Sequence, residues 1–150
     1  MAREKVDIPK HPKEFRIVKL KDLIPFPGNP RHNERSAEMV AESIRAYGYI
    51  SPIVISEDNI ILAGHTRYKA LKILGQDEAE VIMVFGLTKE EITGFVIADN
   101  RIGEYSGWNY EAVSRMIDDM EDQAMMKKMG MSSYEDNKKE LEALINGIEA

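Results

Sequence analysis

No cysteine occurs in the 150 residues. That excludes a disulfide scaffold, a thiol nucleophile and any thiolate metal site, and it suits a reducing compartment, so a cytoplasmic location is expected. Long apolar runs are missing too; nothing approaches the roughly 18 to 20 residues that cross a bilayer. The N-terminus, Met1-Ala2-Arg3-Glu4-Lys5, leads into no apolar stretch of the kind a secretion signal contains. There are neither internal repeats nor low-complexity segments. Histidine is scarce, and two of the three, His11 and His32, sit in proline-rich polar segments where they are expected to face water. What remains is an ordinary globular composition, 43% hydrophobic and 31% charged, at a length that usually makes one core.

Positive charge is also short overall, with a formal net charge of -6, but its distribution matters more than its sum. Residues 1–72 carry 13 Lys and Arg against 9 Asp and Glu, whereas residues 73–150 carry 7 against 17. A mildly basic front half and a strongly acidic back half point to two faces with different partners. The plainer alternative is a solvated acidic helix pair with no partner.

Strands and helices alternate along the chain. Residues 1–14 read as a loose lead-in. Phe15 to Leu20 alternates apolar and polar residues as a first strand. Pro25, Pro27, Gly28, Asn29 and Pro30 then forbid regular structure. Ser36 is placed to cap a helix running to about Tyr47, with Val40, Ile44 and Tyr47 on one face and Gly48 as its stop. Ile53-Val54-Ile55 and Ile60-Ile61-Leu62, four residues apart, form a hairpin signature. A helix follows Ala63-Gly64, with Tyr68, Leu71 and Leu74 on one side and Gly75 at its end. Glu80 to Phe85 reads as another strand. Thr88 and Glu91 form a capping box for a helix that turns Ile92, Phe95 and Val96 inward and ends in Ala98-Asp99-Asn100-Arg101-Ile102-Gly103-Glu104. Beyond Trp108, Asn109 caps a helix carrying Val113, Met116, Ile117 and Met120. After a Met-, Lys- and Gly-containing link, Tyr134 to Ile148 carries Leu141, Leu144, Ile145 and Ile148 as an apolar stripe. The expected fold is therefore α+β, a small mixed sheet with flanking helices and a C-terminal helical extension over residues 111–150. That last stripe is expected to pair with a second copy or a partner protein; the alternative is docking on its own domain.

Chemistry concentrates in Ile60-Ile61-Leu62-Ala63-Gly64-His65-Thr66-Arg67-Tyr68-Lys69-Ala70-Leu71. A strand ends, a glycine turns the chain, and a helix starts with unpaired amide hydrogens and the positive end of its dipole directed outward, an arrangement that attracts anions. Thr66 adds a hydroxyl and Arg67 a planar fork suited to phosphate. His65 either bonds a phosphate, with a proton to exchange near neutral pH, or stands as an ordinary exposed histidine. The competing reading of the whole segment is a plain strand, turn and helix with polar residues on its wet side. Trp108, with Tyr105 and Tyr110, either stacks a base or anchors the following helix.

The Gly-His-Thr-Arg-Tyr-Lys-Ala-Leu run after a short hairpin resembles the glycine- and arginine-rich box of the ParB/sulfiredoxin superfamily. Asn29-Pro30-Arg31, the helix after it, and Tyr49-Ile50-Ser51-Pro52-Ile53-Val54-Ile55 look like the start of a ParB N-terminal domain. Ala98-Asp99-Asn100-Arg101 sits where such domains carry a second box. The match spans residues 15–110 and looks most like the ParB-like, nuclease-labelled domains of phages and mobile elements that accompany DNA methyltransferases. The resemblance implies several activities, because relatives include CTP-binding partition proteins, ATP-using sulfiredoxins, free-serine kinases and nucleases. Departures narrow the choice. Sulfiredoxin chemistry needs a cysteine directly after the box glycine, where His65 stands. The kinases carry an acidic residue before that glycine, where Ala63 stands. Of the partition-type Gly-Glu-Arg-Arg, Gly64 and Arg67 match. No Asp-Pro-Pro-Tyr-like motif marks the chain itself as a methyltransferase.

The expectation is a DNA-associated ParB-like module that binds a nucleotide (CTP or ATP with Mg) or a DNA phosphate at Gly64, His65, Thr66 and Arg67. Asn100 and Arg101 would complete the pocket, with Arg31 reaching it from the first loop. DNA binding itself is expected to be weak and non-specific. Two alternatives stand beside it. One is a metal-dependent nuclease or NTPase in which Asp99 or Glu104 holds a divalent ion, although no clear metal cluster is visible from spacing. The other is a non-catalytic interaction module for a DNA methyltransferase or another phage protein.

Overall fold

The first strand, β1 (Lys13–Lys19), begins two residues before the alternation predicts and stops one short, because Leu20 opens a 3-10 turn over Leu20–Asp22. In this computed structural model the described residues are 3–27 and 34–105, with Ala112, Arg115 and Met116 beyond; residues 34, 35 and 101–105 are described by backbone alone. Of the expected C-terminal extension only Ala112, Arg115 and Met116 are described, all three helical and Met116 exposed; the rest of it, with the Leu141 to Ile148 stripe, Trp108 and Arg31, lies outside the described residues.

Four strands form one mixed sheet in the order β1-β4-β2-β3. The hairpin is formed as expected: β2 (Ile53–Ser56) pairs antiparallel with β3 (Ile61–Ala63). The turn between them is closed by the buried Ser56, whose Oγ accepts from the backbone N–H groups of Asp58 and Ile60. β4 (Glu78–Val84) runs parallel to β2 and antiparallel to β1, placing Phe15 opposite Ile82 and Val18 opposite Ala79.

Helices cover both faces. On one face, α1 (Glu34–Tyr47) contacts α2 (His65–Ile73), and Tyr68 and Leu71 of α2 join Ile53, Ile55, Ile61, Val81 and Met83 in the main core. Each fully buried Ile or Val contributes about 1.5 to 3 kcal/mol relative to exposure, and Ile53, Ile55, Ile61 and Val81 have no exposed surface. α1 starts two residues before Ser36, which lies exposed inside its first turn. The buried positions of α1 are Ala37 and Ala41, small enough to let α2 approach closely, while Tyr47 is exposed. On the other face, α3 (Lys89–Tyr105) sets Ile92 and Val96 over Leu62 and Val84. Phe95, expected inward, is 47% exposed. The capping box forms in full: Thr88 Oγ1 accepts from Glu91 N–H, and a Glu91 carboxylate oxygen accepts from Thr88 N–H, both at 3.1 Å. Those bonds hold the Glu91 carboxyl below its usual range. α3 runs through the whole second box, so Asp99 to Glu104 are helical.

Residues 3–12 have no regular structure, while Lys13 and Glu14, expected in the lead-in, belong to β1. Phe85 N–H donates to Pro12 O at 2.9 Å, and the His11 ring lies 3.9 Å from the Glu91 carboxylate.

Candidate functional site at the start of the second helix

Gly64 links β3 to α2 with φ 102° and ψ 27°, a left-handed conformation that L side chains rarely adopt. No side chain caps the helix, and no acidic residue occupies its first turn. The positive end of the dipole and the first amide hydrogens of α2 are therefore not answered by a carboxylate of their own helix. A Cβ at Gly64 would press within 3.2 Å of the Arg67 guanidinium and of Ile53 Cα, so the glycine also makes room for the arginine to fold back over the turn.

Arg67 is half-buried there. Its Nη2 donates to Pro52 O at a long 3.4 Å, and its Nε is buried without a hydrogen-bond partner. Among the described residues no carboxylate lies within ion-pair distance of it. A buried donor left unmatched costs about 1 to 3 kcal/mol, which makes this guanidinium receptive to an anion. Thr66, partly buried beside it, makes a polar interaction of its own. Tyr49 supports the same corner: its hydroxyl donates to Glu80 O and accepts from Ile53 N–H, each at 2.7 Å, fixing the start of β2 beneath Arg67. Burial raises the Tyr49 pKa, although the Ile53 bond and the Arg67 charge pull the other way.

His65 has a different task from the exposed ligand that its position suggests. It is only 9% exposed, and its Nε2 accepts from Phe26 N–H at 3.1 Å. Burial, aided by the Lys69 charge, lowers its pKa and favours the neutral ring that this acceptor role requires. The contact arises because Ile24 bridges to Ile60: Ile24 N–H donates to Asn59 O and Ile61 N–H to Ile24 O, both at 2.8 Å. Residues 24–26 are thereby held against the start of α2, with His65 as their clasp. Arg31, farther along that loop, lies outside the described residues.

The second box is not joined to this corner by any described hydrogen bond. α3 packs on the sheet face opposite α2, and Asn100 Nδ2 donates to Val96 O of its own helix at 3.0 Å. Asp99 is exposed, and the side chains of Arg101 and Glu104 lie outside the description. Among the described residues no three His, Asp or Glu side chains converge as a metal-ligand set. No role was assigned from the sequence to the Tyr49 hydroxyl or the Phe26 N–H, since their partners at Glu80, Ile53 and His65 are brought near only by the tertiary fold.

Residues 5–101 match the family described as the ParB N-terminal domain. The chain is 37% identical over 73 residues to the ParB-like nuclease domain-containing protein YnaK of Escherichia coli (strain K12), covering 48% of this chain and 84% of that protein. It is 33% identical over 67 residues to a probable chromosome-partitioning protein ParB of Campylobacter jejuni, covering 41% of this chain and 24% of that one. Among solved structures, the C-terminally truncated chromosome-partitioning protein ParB from Caulobacter crescentus, complexed with CTP-gamma-S, superposes with a TM-score of 0.63 at 22% identity. That likeness covers 79% of this chain and 72% of the other. A Pnob8-like ParB N-domain superposes with a TM-score of 0.52 at 16% identity, over 93% of this chain and 51% of that one. At such identities the structural likenesses establish the fold.

Proposed function

The chain belongs to the ParB N-terminal domain family, and from that premise we propose that it binds the phosphates of a nucleotide, or of DNA, at the start of α2. The observation that carries this reading is the Arg67 guanidinium, half-buried at an uncapped helix start with an unmatched Nε and no acid in the first turn. Phosphate oxygens would accept from Arg67 and from the first amide hydrogens of α2, with Thr66 beside them. Gly64 permits the close backbone approach, and His65 holds the overlying loop rather than touching phosphate. Asn100, Arg101 and Arg31 are proposed as outer contacts.

CTP is the first nucleotide to test, because the Caulobacter ParB that shares this fold was solved with a CTP analogue; ATP is the second. The corner offers anion-binding groups and no carboxylate of its own first turn. Mg would therefore arrive on the triphosphate rather than on a preformed protein cage. The nuclease or NTPase alternative, with Asp99 or Glu104 as metal ligand, has no described observation in its favour. The family label of YnaK is its only support.

Thermal-shift measurements on the intact chain with CTP, ATP, GTP and a short DNA duplex, each with and without Mg, test the proposal. A ligand of the folded state at 100 times its Kd stabilises by about 2.7 kcal/mol, so at least one nucleotide or the duplex should raise the melting temperature. No rise with any of them, up to millimolar concentration, would remove the site.

A further inference from the structure

The sheet face that carries α3 is only partly covered. α3 shields Leu62 and Val84, but the β1 end of the same face is bare: Phe15 is 66% and Ile17 73% exposed, and Phe15 lies opposite Ile82. Between this end, the N-terminal arm and α3 runs a groove of about 990 Å³ with Ile8, Leu62, Ile82, Val84 and Phe95 among its walls. Its polar rim is Lys10, His11, Lys13 and Glu91. Glu91 is engaged by the capping box and faces His11, whereas Lys10 and Lys13 have no ion-pair partner among the described residues. The groove is thus apolar inside, and its mouth carries two lysines against the one carboxylate of Glu91, a small positive excess. An uncovered apolar surface of this kind marks a docking site.

We propose that its occupant is this chain's own segment 134–150. In sequence that segment places Leu141, Leu144, Ile145 and Ile148 at helical spacing, the pattern of a helix-in-groove ligand. Its other sequence positions include five carboxylates (Glu135, Asp136, Glu140, Glu142, Glu149) against two lysines, opposite in sign to the excess at the groove mouth. The tether makes the encounter intramolecular, with an effective concentration of order millimolar, so modest contacts suffice. Docking there also accounts for the charge asymmetry of the sequence, since the acidic tail would lie against a basic rim.

Because the chain has no cysteine, two introduced thiols report one contact cleanly. Gly94 lines the groove on α3, and a Cβ there meets nothing within 4 Å, so G94C is tolerated. In the full chain, G94C/I145C should oxidise to an intrachain disulfide several-fold faster than a G94C/S132C control. Its yield should be independent of protein concentration, and K10E/K13E should slow it several-fold. Rates equal to the control, or a disulfide formed only between chains, would overturn the proposal. A second measurement does not depend on thiols. Methyl resonances of Leu62, Ile82 and Val84 should shift in full-length L144D/I145D while those of Ile53 and Ile55, on the other face, stay in place. Unchanged groove methyls would contradict the docking.

Discussion

At the scale of single residues, three side-chain decisions shape the corner at the start of α2. Gly64 is the least replaceable. A left-handed backbone costs an L residue roughly 1 to 2 kcal/mol, and a methyl there would also push on Arg67 and Ile53. Urea unfolding of Gly64→Ala should therefore show a loss of at least about 1 kcal/mol; an unchanged midpoint and slope would contradict the strained turn. His65 gives a pH signature whose sign follows from its lowered pKa. The unfolded ring takes up a proton below about pH 6.5 while the folded ring resists, so the folded state loses stability as pH falls below that value. The loss continues until the folded ring also protonates and gives up its bond to Phe26. His65→Gln keeps an oxygen acceptor that does not titrate near neutral pH. Melting temperatures from pH 7.5 to 5 should thus fall more steeply for wild type than for His65→Gln, and parallel curves would show that His65 does not clasp the loop. The turn at Gly64 and the place of Arg67 in the first turn of α2 were legible in the sequence because both are local: a glycine between strand and helix, and a cation where the helix dipole disfavours one. The clasp of His65 was not, since its burial depends on the bridge from Ile24 to Ile60, 36 positions apart in the chain.

Elements show the same division between local and distant causes. The hairpin, the Gly48 and Gly75 stops and the Thr88–Glu91 box are short-range chemistry, and each forms where its residues indicate. Replacing Thr88 by Ala should cost about 1 kcal/mol, as loss of an N-cap usually does. A Thr88→Ser variant should recover most of it in the same chemical-denaturation series; equal losses would assign the effect to the methyl group instead. The misreadings have physical reasons. Alternation in β1 identified a strand but not its inner face. β1 is an edge strand paired to β4 alone, and the face bearing Phe15 and Ile17 extends past the reach of α3. Ser36 has a good capping side chain, yet α1 starts earlier and buries Ala37 and Ala41. The closeness of α1 and α2 follows from those alanines, which a search for large apolar residues passes over.

The described residues form a mixed four-stranded sheet between two helical layers, with the corner at the start of α2 on one face and the groove beside α3 on the other. The chain's net charge of -6 restricts contact with nucleic acid to local patches. With 20 Lys and Arg against 26 Asp and Glu, DNA affinity should be weak and indifferent to sequence, falling by about 0.9 log units per contacted phosphate for each log unit of salt. Anisotropy titrations of two unrelated duplexes across a salt series measure both properties. A flat salt dependence, or a marked preference for one duplex, would contradict a phosphate-based contact. The claim on which the account turns is that Arg67 answers a phosphate. Calorimetric titration of wild type, Arg67→Ala and Arg67→Lys with the nucleotide or duplex that stabilises the fold most tests it directly, with the melting temperature of each free protein as reference. The account predicts binding by wild type, loss of it in Arg67→Ala and strong weakening in Arg67→Lys, because an ammonium keeps the charge but not the fork. The free variants should melt within a few degrees of wild type, since the bond to Pro52 is long and Nε has no partner to lose. Unchanged affinity in Arg67→Ala would contradict it.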